Sequence, residues 1–320
     1  MAGETPLDGN VTTATKHYII CGTLFTIAVA VYIMRMYTRL RNLGWDDYTI
    51  TLAVVICTVE LALQIAAYSQ GLGRYQYYVS AEDQVDIFRY IFAMCLVGIW
   101  TAPLVRISIS CMLLRLKTSP AWQWVLKTII GIQIASAGAS NICQVVQCRP
   151  VRAMWDVVPG AKCWSPAQIQ AYGYVYNSVN IMSDILLSLM PISFIRKLRR
   201  PLFERLLLAF LMALGLIAGS IAIMRLISLR KFDLTSGGSL RSLSETVLLT
   251  RVEELVGIIA ACAPLLKPSL VSILHSLGII TKDATVWHLN SFVYRSNRRR
   301  QLDSISTEVG NSRRNSSDGT

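Results

Sequence analysis

Seven stretches of this chain are too long and too apolar for ordinary strands or surface helices: residues 17–37, 47–68, 88–114, 122–146, 170–193, 204–226 and 246–267. A hydrocarbon layer about 30 Å thick is crossed by a helix of roughly 20 mostly apolar residues, and every block reaches that length. Lipid offers no hydrogen bonds, so a crossing segment must satisfy its own backbone; a helix does this and an open sheet does not. A membrane barrel would show alternating polarity in segments of about ten residues. That alternation is absent from the sequence. The expected fold is therefore all-α, an integral membrane bundle of seven transmembrane helices with short connections and antiparallel neighbours. Composition agrees: 16% of the 320 residues are charged and 53% hydrophobic, whereas a soluble domain carries about a quarter charged residues.

Direction follows from Lys and Arg. With the N-terminus outside and the C-terminus cytosolic, basic residues favour the inner segments by roughly two to one. The expected division is a short extracytosolic N-terminus at 1–16 and a membrane domain at 17–267. A juxtamembrane segment at 268–294 has the apolar spacing of an interfacial helix, and the basic cytosolic tail at 295–320 has a disordered composition. The first apolar block lacks a small-residue cleavage pattern and reads as an uncleaved span of a multi-pass protein. Asn10 opens the glycosylation acceptor "NVT" on the outer side. The formal charge of +12 belongs, in such a chain, to inner loops and anionic membrane lipid, not to nucleic acid. The tail sequence "RRNSS" has the pattern of a basic-directed kinase site, and a solvated tail explains it equally.

Some ionisable residues fall inside the apolar blocks. Asp184 stands in "VNIMSDILLSLMPI", and Gly173, Asn177, Asn180, Asp184, Ser188 and Pro191 share one stripe at helical spacing. Such a stripe must face the bundle interior or water. Arg106 in the third block lies at a similar depth, about 15 Å from the inner end, so an Arg106–Asp184 ion pair is expected. Nearer the outer side lie Arg225, Arg251, Glu253 and Glu254, with Glu60 and Gln64 one turn apart on one face of the second block. Glu253 and Glu254 point about 100° apart, so at most one of them meets any single partner. Each charge costs around 2.5–3.5 kcal/mol on insertion scales, while polar contacts between membrane helices return roughly 0.6 kcal/mol, so helix adhesion alone is a weak reason for so many. Arg106, Asp184, Asn180, Asn177, Glu60, Arg225, Glu253 and Glu254 are therefore the candidates for a ligand cavity.

Of eight cysteines, Cys148 and Cys163 lie in the polar loop "CRPVRAMWDVVPGAKCW". On an oxidising outer side they are expected to form a disulfide at the bundle entrance. Small residues at Gly215 and Gly219, and at Gly131, Ala135 and Ala139, have the spacing of tight helix packing, which bundle packing inside one chain explains as well as dimerisation does. Pro103, Pro191 and Pro264 can kink their spans. Asp46 and Asp47 open the second block, where acids cap a helix N-terminus; a contact to the basic "RKLRRPLFER" loop is a further option. His17, His275 and His288 have no ligand-spaced neighbours, so no metal site is expected. No glycine-rich phosphate loop is present, and no cofactor is implied.

The stretches "LGWDDYTI", "LVRISISCMLLRL", "CRPVRAMWD", "SVNIMSDILLSLMPI" and "VEELVGIIAACAPLLKP" resemble, in order, the fungal rhodopsin-domain proteins, seven-span proteins often found beside secondary-metabolite clusters. The resemblance implies a receptor-like fold and membrane residence, in the plasma membrane or an endomembrane, and little defined chemistry. Two functions follow. A receptor or sensor would bind a small lipophilic ligand between the helices and present its basic inner loops to a cytosolic protein partner. An intramembrane enzyme, a cyclase or isomerase, would use Asp184, Glu60 or Glu253 to protonate a lipophilic metabolite; an arginine beside Asp184 argues against that role. No lysine lies between Thr246 and Ala263, so a retinal Schiff base has no seventh-helix partner. The "DRY" and "NPxxY" signatures of G-protein coupling are also absent. A transporter would show paired broken helices in matching halves, which the sequence does not offer.

Overall fold

The computed structural model describes residues 13–39, 43–115, 120–197, 219–220, 223–224 and 239–263. All of them lie in the first of two compact units, Met1–Leu266. The long elements are helical: α1 Ala14–Arg39, α2 Trp45–Ser69, α3 Ala81–Gly98, α4 Thr101–Arg115, α5 Pro120–Val146, α6 Pro166–Lys197 and α7 Ser239–Cys262. Four stretches are long and apolar enough to cross a membrane: α1, α2, α3 and α4 taken together over Ala81–Arg115, and α5. The sixth apolar block, 204–226, lies almost wholly outside the described residues, as do Asn10, Arg225, Gly215, Pro264 and the tail.

The helices alternate in direction. Thr13 at the start of α1 donates to the carbonyl of Gly73, just past α2, and meets Ser244 near the start of α7. Arg39 at the end of α1 reaches Asp46 at the start of α2, and Arg115 at the end of α4 reaches the same aspartate. One end of the bundle therefore gathers Thr13, the turn after α2 and the start of α7; the other gathers Arg39, Asp46, Asp47 and Arg115. At the first end, Gly71 and Gly73 adopt φ of 106° and 91°, a region closed to most side chains, and turn the chain from α2 toward α3.

Small side chains set the core. Ala28 of α1, Ala53 and Cys57 of α2 and Ala261 of α7 are buried with Ile50, Leu104, Leu255 and Ile258. Close approach of backbones at such positions is how membrane helices gain packing contact without a hydrophobic driving force between them. The stripe Gly131, Ala135 and Ala139 does not serve this purpose. All three are exposed, and the packed face of α5 is carried by Gln133, Ala137 and Ser140. Nothing lies within 4 Å of a Cβ added at Gly131 or at Gly219.

The third apolar block is longer than its hydropathy suggests and is broken in two. Its start is polar: Ser80 caps α3 by accepting from the Asp83 N–H at 3.1 Å, with Glu82 and Asp83 in the first turn. Its break at Ile99–Trp100 follows from Pro103, which has no N–H to give to the carbonyl of Ile99 four residues back. The phenol of Tyr176 on α6 donates to that carbonyl instead, at 3.4 Å. Pro191 has no comparable effect, since α6 runs through it without interruption.

Candidate functional site

A cavity of about 510 Å³ lies among α2, α3, α4, α5, α6 and α7. Its walls carry Ile91, Met94, Ile99, Ile169 and Val247. Gln144, Gln147 and Gln170 line it near the end of α5 and the start of α6, and Glu60, Arg251, Glu253, Glu254 and Asn180 line it deeper. Most of the deeper polar groups belong to two networks centred on arginines.

Arg106 on α4 forms one hub. Its Nε donates to Asp184 Oδ1 at 2.7 Å and its Nη2 to Asp184 Oδ2 at 2.8 Å. This is the two-pronged geometry that a guanidinium offers and an ammonium does not. Nη1 donates to Asn180 Oδ1 at 3.0 Å and Nη2 also reaches Glu253 Oε1 at 3.4 Å, so one buried side chain ties α4 to α6 and α7. The stripe on α6 accounts for the placement: Asn177, Asn180 and Ser183 are buried, while Val175, Met182, Leu186 and Leu189 face outward. Asn177 is in the cavity wall and donates to the Gly173 carbonyl at 2.7 Å.

Arg251 on α7 forms the second hub. Its Nη1 donates to Glu60 of α2 and, at 2.5 Å, to Glu254; its Nη2 donates to the Cys57 carbonyl at 3.0 Å. Thr101, the first residue of α4, donates to the same Glu60 oxygen at 3.2 Å. Glu253 and Glu254 thus serve different arginines, as their angular separation requires. Gly98 makes the arrangement possible: a Cβ there would lie 1.8 Å from Glu60 Oε1. Gln64, one turn along α2 from Glu60, is buried and donates to Cys21. Sequence reasoning placed Arg251 in this neighbourhood without recognising it as the hub, and it did not find Thr101 or Gly98. The signal for Arg251 was the i, i+3 relation to Glu254.

The mouth of the cavity lies beside a covalent tie. Cys148 and Cys163 form a disulfide across a short antiparallel ladder in which Arg149 opposes Lys162. Trp155 in this hairpin packs on Phe92 of α3, ring centroids 5.2 Å apart, and Arg152 pairs with Asp156.

A separate ionic cluster closes the opposite end. Arg35 donates to Asp47 from Nε (3.0 Å) and Nη2 (2.9 Å), to Asp46 Oδ2 at 3.0 Å, and to the Ala261 carbonyl at 2.9 Å. All three charged residues are completely buried. Arg39 bridges both aspartates, Arg115 approaches Asp46 Oδ1 at 2.9 Å, and Ser108 donates to the Asp46 carbonyl at 2.7 Å. Asp47 also accepts from the Gly44 N–H at 3.0 Å, which is the capping role its position suggests. The aspartates therefore do more than cap: they join α1, α2 and α4, and Arg35 extends the cluster to α7. The "RKLRRPLFER" side chains lie outside the described residues. Among the described residues, no group of three or more His, Cys, Asp or Glu side chains could hold a metal ion.

Apolar helices around a charged, partly hollow interior define a helical membrane protein. The fungal rhodopsin domain matches residues 31–272, and the chain belongs to that family. It is 24% identical over 278 residues to Fugralins biosynthesis cluster protein 2 of Gibberella zeae, covering 82% of this chain and 65% of that protein. It is 23% identical over 274 residues to Polyenoic acids biosynthesis gene cluster protein Ba17b of Metarhizium anisopliae, covering 80% of this chain and 72% of that one. The chain therefore spans just under two thirds of the first relative's length. No solved structure matches it.

Proposed function

We propose that this protein is a receptor-like membrane sensor that works without retinal. It crosses the bilayer seven times, with its N-terminus outside and C-terminus cytosolic, and holds a small lipophilic ligand in the cavity. The alternating helices and the excess of Lys and Arg at the ends assigned to the cytosol support this topology. A signal would pass to a cytosolic protein partner through the basic inner segments. The observation that carries the reading is the deep cavity lining, where Asn180, Glu253, Glu60, Glu254 and Arg251 belong to two arginine hubs that together link α2, α4, α6 and α7. A ligand that shifts either hub changes the relation of three helices at once. Arg106, Asp184, Asn180, Asn177, Glu60, Glu253 and Glu254 are the proposed ligand-sensing set.

An intramembrane cyclase or isomerase is the second reading. Carboxyl groups facing an apolar cavity favour it, as does the similarity to proteins named for biosynthetic clusters. Against it, both oxygens of Asp184 accept from Arg106, which is the arrangement of a carboxylate acceptor and not of a proton donor. Metabolite and transcript profiles of a strain lacking the protein separate the two. The sensor reading predicts a lost transcriptional or developmental response with the biosynthetic chemistry intact. Accumulation of a single uncyclised precursor would overturn it in favour of the enzyme.

A further inference from the structure

We infer that the ligand of this cavity is a neutral, hydroxyl-bearing lipophile rather than a carboxylic acid or an amine. The inference rests on the sensor reading above and specifies its ligand. From Gln170 near the start of α6 to Asn180 beside Arg106, the helix rises about 15 Å, so the space suits an elongated molecule. The volume of about 510 Å³ falls in the range of roughly 300–1,000 Å³ typical of pockets for drug-sized ligands. The intervening walls of Ile91, Met94, Ile99, Ile169 and Val247 ask for an apolar body.

The head is selected by what the floor has left to give. Of the carboxylates that line the cavity, Glu253 accepts from Arg106 and Glu254 from Arg251. Glu60 Oε2 accepts from both Arg251 and Thr101. Arg251 is committed to two glutamates and to the Cys57 carbonyl. An ammonium head would have to draw a carboxylate away from its arginine, and a carboxylate head would have to draw an arginine away from its acids. Either exchange strands a buried charge. A hydroxyl strands nothing, because a carboxylate oxygen keeps acceptor sites beyond those already used. The glutamine side chains toward the mouth can add hydrogen bonds to a carbonyl or second hydroxyl there without meeting a full charge.

The test uses the full chain in phosphatidylcholine nanodiscs with three probes that share one apolar body: dodecanol, dodecanoic acid and dodecylamine. Thermal unfolding is followed in the native chain and in Ala102→Phe, which places a ring in the cavity. The expected result is a rise in unfolding midpoint with dodecanol that is lost in Ala102→Phe, with an apparent affinity about tenfold above either charged probe. A charged probe that matches or exceeds dodecanol, with the same loss in Ala102→Phe, overturns the inference and leaves the cavity reading standing. If no probe distinguishes the native chain from Ala102→Phe, the cavity is not a binding site and both fall. Glu60→Gln provides a second variant should Ala102→Phe fail to fold. Removing that carboxylate releases part of Arg251, so dodecanoic acid should gain on dodecanol; an unchanged order among the probes would overturn the inference.

Discussion

Two ionic clusters stand at opposite depths of one bundle, and they are built differently. At the Asp46–Asp47 end, Arg35 is fully buried and bound on every side by carboxylates and a backbone carbonyl, and packed Ala53, Ile50 and Ala261 lie around it. At the cavity, Arg106 and Arg251 are also buried and hold as many partners, but Glu60, Asn180, Glu253, Glu254 and Arg251 itself line open space. Arg39 and Arg115, 21% and 42% exposed, cover the outer side of the Asp46–Asp47 cluster, and none of its residues lines the cavity, so that cluster behaves as a rivet. A cluster with one open side can be reached by a ligand and by water. The difference shows that counting charges in an apolar sequence does not identify a site; the space beside them does.

The comparison breaks most visibly at the rivet. Arg35→Ala leaves two aspartates buried without their main partner and is expected to cost about 3–5 kcal/mol, enough to abolish recovery of monodisperse protein. Asp184→Asn should cost less, about 1–3 kcal/mol, since Arg106 keeps Asn180 and Glu253 as acceptors. Combining it with Arg106→Gln should restore part of the loss, with a coupling of roughly 0.5–3 kcal/mol in a cycle of thermal midpoints. Additive losses would remove the pair from the account. Gly98→Ala forces Glu60 away from Arg251 and Thr101 and should lower stability by about 1–3 kcal/mol while also shrinking the cavity. Gly131→Ala, on the exposed face of α5, meets nothing and should leave stability unchanged or raised by up to about 1 kcal/mol, because alanine is the better helix former.

Much of this was legible in the chain. The blocks at 17–37, 47–68, 122–146 and 170–193 all fall within observed helices, because a run of apolar residues long enough to cross a membrane has few alternatives. The Arg106–Asp184 pair followed from matching depths. What escaped was set by local backbone chemistry or by the third dimension. The polar first turn of α3 carries its cap in Ser80 and does not register as hydropathy. The rivet needed Arg35 and Arg39, one turn apart at the end of α1, to be set against "WDD" across a short connection. The small-residue stripe of α5 lies on the exposed side of the helix, since spacing gives a face but not which way it points.

The sharpest discrimination between the two regions comes from thiols the chain already contains. Cys95 lines the cavity, while Cys262 is fully buried beside Ala261, whose carbonyl Arg35 holds. A positively charged methanethiosulfonate reagent, applied to the native protein in nanodiscs and read by peptide-resolved mass spectrometry, needs water to reach its target. The account predicts rapid modification of Cys95, slowed in Ala102→Phe, and no modification of Cys262 in the folded protein. Equal rates at the two cysteines, or protection of Cys95 with Cys262 reactive, would contradict it.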